Sequence, residues 1–291
     1  MADRRADLLL GVLYGDCLGA PYEFSTPDPS QPLTVGESIF GHPPGCGTDD
    51  TETTLAVVYG LLDAADQGVL DHPERSIADR LLEWFEGAPA DVGNTTRRGL
   101  ATYARTRDPL ISGPDGPYSI SNGSLMRSAP FVLAYPDPVN AAEIAARSSM
   151  VTHRHPMVLA CVEAYVRLLA ALLDGRPVAP EGAPAAVYDA YRAAVRVAER
   201  LPGDLPCPGI GHARYALSVA YWAAVSPLAD SFEEGIEHVV RLGGDTDTNG
   251  AICGAVLAAR HGFPGELVEH LGAQRVHEVA VAAAGLLRIS R

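Results

Sequence analysis

Apolar residues recur along this chain at helical spacing. Leu55, Val58, Tyr59 and Leu62 stand at i, i+3, i+4 and i+7. Leu159, Val162, Val166, Leu169 and Leu173 repeat the pattern, as do Val187, Tyr191, Val195 and Ala198, and Ile252, Val256 and Ala259. Each set puts an apolar stripe on one helix face, which must pack inward. Alternating runs of β-branched residues, the mark of a half-buried strand, are scarce. Proline- and glycine-rich stretches at 25–47, 108–122, 175–184 and 201–211 separate the stripes as loops. Loops this long inside a domain are often functional. Asp137-Pro138 predicts a helix start, with an acid at the N-cap and proline at the first helical position. No sequence repeat interrupts the pattern, and each striped segment is too short to stand alone. The reading is all-α: one compact domain over 1–291 of about a dozen helices.

Composition narrows the chemistry. The 291 residues are 47% hydrophobic, ample for a large core, and carry 36 acidic against 22 basic residues, a net charge of −14. Every basic residue is arginine; the chain has no lysine. That excludes a P-loop lysine or a lysine Schiff base. The acidity disfavours duplex nucleic acid and anionic membrane surfaces, which reward clustered positive charge, but not a small anionic ligand. Cys17, Cys46, Cys161, Cys207 and Cys253 are scattered and contain no C-x-x-C pair, so no zinc ribbon or disulfide scaffold is predicted. Arg4-Arg5 before Leu8-Leu9-Leu10 has the outline of an export signal, but the apolar run is short and Asp16 interrupts it. No stretch of about 18 uncharged apolar residues predicts a membrane span. The expectation is a cytoplasmic monomer.

Two acidic segments stand out. Gly47-Thr48-Asp49-Asp50-Thr51-Glu52 and Gly243-Gly244-Asp245-Thr246-Asp247-Thr248-Asn249-Gly250 each lead into an apolar stripe. Adjacent acids repel one another unless something compensates. Simple helix capping would use one acid per segment. Paired acids with hydroxyls exceed that need and suit a hard divalent cation. Asp245-x-Asp247-x-Asn249-Gly250 opens like an EF-hand loop, but the twelfth position is Val256, so that reading fails. The better reading joins both segments across the fold around one or two ions.

Other polar islands are ambiguous alone. Asp16, on an otherwise apolar helix, and Glu23, beside two aromatics, lie in the G-D-C-L-G-A-P-Y-E-F stretch that closes the first helix. Glu23 reads as a general acid or base or as a surface carboxylate. Ser121-Asn122-Gly123-Ser124-Leu125-Met126-Arg127 reads as a turn opening a helix, either an ordinary cap or an anion cradle. Asp91-Val92-Gly93-Asn94-Thr95-Thr96 is a second such turn, and His153 and His155 precede a helix in T-H-R-H-P.

Together these islands resemble the ADP-ribosylglycohydrolase family, in particular its dinitrogenase-reductase-activating branch. The resemblance runs in order through G-D-C-L-G-A-P-Y-E-F, G-T-D-D-T-E, D-V-G-N-T-T, N-G-S-L-M-R, T-H-R-H-P and G-G-D-T-D-T-N-G-A-I-C-G-A-V-L. It implies an all-helical enzyme that hydrolyses the bond between the distal ribose anomeric carbon of ADP-ribose and a modified group. It further implies two Mg²⁺ or Mn²⁺ ions held by Thr48, Asp49, Asp50, Asp245, Asp247 and Thr248. Asp247 would also serve catalysis. Glu23 matches a glutamate on the loop closing over the metals, as acid/base or gate. Asp91 matches an acid facing the leaving group, and Asp16 a residue beside the ligands. Ser121, Asn122, Gly123 and Ser124 match the turn holding the diphosphate and proximal ribose. His153 matches a position near the distal ribose, with His155 supporting it.

Departures from the family pattern fall at Thr53, Gly250 and Ala258, none on an implied ligand. Asp91 in D-V-G favours an arginine linkage. The implied partner is an ADP-ribosylated protein or small ADP-ribosyl compound. The rivals are a serine-linked, nucleobase-linked or O-acetyl-ADP-ribose substrate, and a non-catalytic ADP-ribose-binding homologue.

Overall fold

The structure, a computed structural model, describes residues 4–290. The predicted bounds 1–291 therefore extend beyond the described residues at both ends. Those residues form α1 (Asp7–Gly19), α2 (Asp49–Asp66), α3 (Glu74–Glu86), α4 (Asn94–Thr106), α5 (Phe131–Ala134), α6 (Pro138–Ser149), α7 (Pro156–Leu173), α8 (Ala185–Arg196), α9 (Ala213–Val225), α10 (Phe232–Val240), α11 (Thr246–His261) and α12 (Ala273–Ile289). No strand forms among them; one isolated bridge joins Ser121 to His212.

The stripes mostly face inward as expected. Leu55 and Val58, Val162, Val166 and Leu169, and Ile252, Val256 and Ala259 are all buried. Helix α8 differs from its expected stripe. Val195 is 47% exposed, and the buried face is Val187, Ala190 and Ala194. Both sets fit a 3.6-residue period; the alanines form the buried one. Asp137 caps α6 by accepting from the Val139 and Asn140 amides, with Pro138 next in line.

The core is organised by α1 and α11, which meet backbone to backbone. A Cβ on Gly15 would lie 2.0 Å from the Gly250 carbonyl oxygen, and one on Gly254 would lie 2.0 Å from that of Gly11. A Cβ on Gly19 would lie 2.2 Å from the Thr246 carbonyl oxygen. This zipper gives Gly250 its reason: alanine there would put a Cβ 2.2 Å from the Gly15 carbonyl oxygen. It also sets the C-terminal end of α1, with Asp16, against the N-terminus of α11, with Asp247. Leu8 and Leu9, inside the segment with an export-signal outline, are buried in this same core.

By length and composition α7 could cross a membrane, although it carries Glu163 and Arg167. Here it is a core helix: the buried Tyr165 hydroxyl donates to the Ile252 carbonyl of α11 at 2.9 Å.

The 25–47 segment has no regular structure, as its prolines and glycines predict. It is nonetheless pinned. Arg241 donates to the Asp28 and Gln31 carbonyls, and at the far end Gly272 donates to Gly45 and Arg275 to Cys46. The 121–127 stretch does not open a helix as expected. It is a run of turns leading to the short α5. Asn122 accepts from the Leu125 amide and the Ser128 hydroxyl donates to the Ser124 carbonyl, which spends the bonds a helix would use.

Candidate active site

Both acidic segments form helix N-termini, and the fold brings those termini together. Asp49 and Asp50 are the first two residues of α2; Asp247 is the second of α11. Capping does not account for the acids. Thr48 caps α2, and Asp245, at the N-cap of α11, makes no side-chain capping bond. The join is direct: the Thr248 hydroxyl donates to Asp50 Oδ2 at 3.2 Å. The helix runs from Thr246 without a twelve-residue loop, which closes the EF-hand question.

Asp16 is fully buried and saturated. Its carboxylate accepts from the Thr48 amide and hydroxyl at 2.8 and 2.9 Å, and from the Thr51 amide and hydroxyl at 3.0 and 2.6 Å. It holds the start of α2 in place and has little capacity left for an ion. Gly47 completes this turn at φ +75°, where a Cβ would lie 2.4 Å from Thr51 Oγ1.

Glu23 enters from the other side. Its carboxylate and those of Asp245 and Asp247 have oxygens all within 4.8 Å of one another. Two backbone bonds hold it there: the Phe24 amide donates to Gly244 at 2.6 Å, and the Gly244 amide to Ser25 at 2.9 Å. Gly243 and Gly244 supply positive φ, and Phe24 itself sits at φ +59°, a left-handed value costing a non-glycine residue about 1–2 kcal/mol.

The electrostatics call for cations. Burial first, then neighbouring acids, pushes the Asp49, Asp50 and Asp247 carboxyls far above the ordinary range. Burial also raises Asp16 and Asp245, against hydrogen bonds that pull them back. Glu23 is pushed up to about 8 by burial and by the charges of Asp245 and Asp91. Asp50 Oδ1 and Glu23 Oε2 are buried without a hydrogen-bond partner. Unpaired buried carboxylate oxygens beside hydroxyls are a donor set for a hard divalent ion, so the residues fit such a group.

A pH dependence follows. In the metal-free protein Glu23 keeps its proton up to about 8, whereas its ordinary pKa is 4.5. Between those values the folded state binds the extra proton, so stability falls as pH rises. We expect the melting temperature of metal-free protein to drop between about pH 5 and about pH 8, and Glu23→Gln to flatten part of the drop. A profile unchanged by the substitution would contradict this placement.

The remaining predicted residues divide. Asp91 is half-exposed before α4, and its charge is felt by Glu23, Asp49 and Asp245. Asn122 Nδ2 donates to Asp245 Oδ2 at 2.6 Å, tying the 121–124 turn to the acids. Ser124 is buried and its hydroxyl has no partner. Among the described residues, no backbone bond takes up the Gly123 or Ser124 amide. His153 is fully buried, with both ring nitrogens bonded inside the protein, so it supports the turn from below. His155 does not support His153; it caps α7, accepting from the Met157 amide at 3.2 Å.

Sequence reasoning missed what does support His153. Arg127, buried, donates to the Gly123 carbonyl at 2.8 Å and to the Thr152 hydroxyl. Thr152 in turn bonds His153 Nδ1 at 2.8 Å, His153 Nε2 bonds the Ser121 hydroxyl at 2.9 Å, and Ser121 donates to Thr95 at 3.0 Å. Ser121 spends its one proton on Thr95, so its oxygen accepts from His153; that assigns the ring proton to Nε2 and leaves Nδ1 to accept from Thr152. Burial and the Arg127 charge hold His153 well below its ordinary pKa, so the ring is neutral. Arg127 was visible in N-G-S-L-M-R, but spacing does not separate a buried guanidinium from an exposed one. Thr152→Val should cost about 1–3 kcal/mol by stranding buried polar groups, read by thermal unfolding. A neutral result would break this chain of bonds.

Known proteins share this chain's sequence pattern and fold. A sequence model of the ADP-ribosylglycohydrolase family matches residues 1–290. The chain is 30% identical over 270 residues to the ADP-ribosyl-[dinitrogen reductase] glycohydrolase of Rhodospirillum rubrum, covering 89% of this chain and 86% of that one. It is 25% identical to the ADP-ribosylarginine hydrolase Tri1 of Pseudomonas putida (strain GB-1), covering 96% and 77%. A solved structure, described as an ADP-ribosylglycohydrolase-related protein complex, superposes with a TM-score of 0.79 at 32% identity, covering 99% of this chain and 98% of that one. The helical fold and the motif order thus lead to one assignment: the chain is an enzyme of the ADP-ribosylglycohydrolase family.

Proposed function

We propose that this protein hydrolyses the bond between the distal ribose anomeric carbon of ADP-ribose and an arginine side chain, with two divalent ions, Mg²⁺ or Mn²⁺. The observation that carries the reading is the convergence of the α2 and α11 N-termini, with unpaired oxygens on Asp50 and Glu23. Thr48, Asp49, Asp50, Asp245, Asp247 and Thr248 would hold the ions. Bound there, such ions orient ribose hydroxyls, stabilise charge at the anomeric carbon and activate water.

The chain's own groups do the rest. Asp91, half-exposed before α4, would pair a guanidinium through two hydrogen bonds. Glu23, whose carboxyl lies within reach of Asp245 and Asp247, suits proton exchange at the reacting centre. The diphosphate is an anion in an acidic cleft. The Gly123 and Ser124 amides, left free by the turn, and the Ser121 hydroxyl answer that need. Relatives named as an ADP-ribosyl-[dinitrogen reductase] glycohydrolase and an ADP-ribosylarginine hydrolase support the arginine linkage.

The test is release of ADP-ribose from arginine-, serine-, cysteine-, nucleobase- and O-acetyl-linked substrates, with Mg²⁺, with Mn²⁺ and with EDTA. Arginine-linked substrate should turn over fastest, and EDTA should stop it. Faster release from another linkage would reassign the substrate. Binding of ADP-ribose without release from any substrate would leave a non-catalytic homologue.

A further inference from the structure

A groove of about 490 Å³ runs between α2, α3 and the start of α12. Two of its lining residues stand close in the chain to residues of the candidate site. Glu52, in its lining, lies one turn along α2 from Asp49, about 4.5 Å along the helix axis. Pro89, also in the lining, stands two residues before Asp91. Asp49 and Asp91 are close enough for the charge of one to act on the other. The groove therefore lies on the Asp49 and Asp91 side of the acids.

Its charges are satisfied with one exception. Arg80 pairs with Asp63 at 2.6 Å and Glu83 at 3.0 Å, and Arg275 pairs with Glu278 at 2.8 Å. Glu52 has no ion-pair partner among the described residues. Its Oε2 accepts from Trp84 Nε1 at 2.7 Å, and its other oxygen is free. That bond fixes the half-buried indole, with Leu55 and Tyr59 along the same wall. A carboxylate with a spare oxygen, an indole face and an apolar wall are what a long cationic side chain requires. They serve the charge, the cation–π contact and the aliphatic stem.

We propose that this groove takes the polypeptide carrying the modified residue, with Glu52 and Trp84 holding a basic side chain beside it. This rests on the ADP-ribosyl hydrolase reading above. The modified residue leaves the cleft on the Asp91 side, so its flanking chain must pass there. An extended chain advances about 3.3 Å per residue, and the proposal sets the basic side chain one or two positions from the modified residue. The −14 net charge of the chain favours a basic over an acidic segment as its partner.

The test uses the full chain and three substrates of the linkage that it releases. These are the free ADP-ribosylated amino acid, a peptide with arginines flanking the modified residue, and the same peptide with glutamates there. The arginine-flanked peptide should show kcat/KM about ten-fold above the glutamate-flanked one, mainly through KM. Glu52→Gln and Trp84→Leu should erase that preference and leave the free amino acid within about two-fold. Equal values for the two peptides, or a preference surviving both substitutions, would overturn the proposal. Failure to release ADP-ribose from any substrate would instead strike the hydrolase reading. Tryptophan fluorescence separates the two cases. Trp222 is fully buried, so Trp84 reports the groove. The unmodified arginine-flanked peptide should change the emission saturably in the wild type and not in Glu52→Gln. No change in the wild type overturns the groove.

Discussion

Replacing both Asp245 and Asp247 by asparagine will abolish hydrolysis, by on the order of a thousand-fold or more, while leaving the fold intact. Asparagine keeps the size and one oxygen of each side chain. The Asn122 donor to Asp245 and the Thr248 amide donor to Asp247 can still be accepted by a carbonyl. What disappears is two negative charges from a buried group of acids that mutual repulsion and burial already strain. The double variant should therefore melt no lower than the wild type when both are free of metal, and higher at alkaline pH. Mg²⁺ or Mn²⁺ should raise the wild-type melting temperature, because an ion that binds only the folded state stabilises it by about 2.7 kcal/mol at a hundred times its Kd. The variant should show little of that rise. Wild-type turnover by the variant in EDTA would refute the metal reading outright. Lost activity with an unchanged metal-induced rise would move the ions elsewhere.

Gly254→Ala will be the most destabilising small substitution far from the acids. Alanine is the better helix former by about 1 kcal/mol, so on propensity alone the change should stabilise α11. The tertiary contact reverses the sign. The new Cβ would lie 2.0 Å from the Gly11 carbonyl oxygen, where backbone rather than a flexible side chain must move. Overpacking of this kind costs about 1–3 kcal/mol or more, and here two helices must part along their length. A melting temperature lower by about 5–10 °C is expected from the usual 2–4 °C per kcal/mol for a chain of this size. Gly265→Ala is the control: nothing lies within 4 Å of its Cβ position. Equal melting of the two variants would mean that α1 and α11 do not meet as described. Because the zipper also sets Asp16 against the start of α11, some activity should be lost with the stability.

Much of this was legible in the chain because its signals are local. A 3.6-residue stripe predicts a buried helix face wherever side chains are large, as in α2, α7 and α11. It misplaced the face of α8, where alanines rather than Val195 turn inward. Alanine carries too little apolar contrast for a stripe to show which face a neighbouring helix covers. The acids of the two segments were legible because adjacent carboxylates are costly, and their motif order marked the family. The role of Glu23 was half legible. The sequence placed it in a loop, but its approach to Asp245 and Asp247 depends on Phe24 bonding to Gly244, a contact between distant parts of the chain.

His153 shows the limit most plainly. Its motif suggested contact with a ligand, whereas the fold buries it beneath Ser121 and satisfies both nitrogens. The sequence by itself determined the helices, the loops, the absence of lysine chemistry and the residue types available for an ion. Each follows from short-range periodicity, from turn chemistry or from composition. Tertiary structure decided which carboxylates meet, which are saturated, as Asp16 is, and which keep an unpaired oxygen, as Asp50 and Glu23 do. It also decided that Glu52 lacks a cation while Arg80 and Arg275 have their carboxylates. The physical reason is common to all of these: burial and pairing are properties of surfaces brought together from distant segments, and only the packing of α1 on α11 brings these segments together.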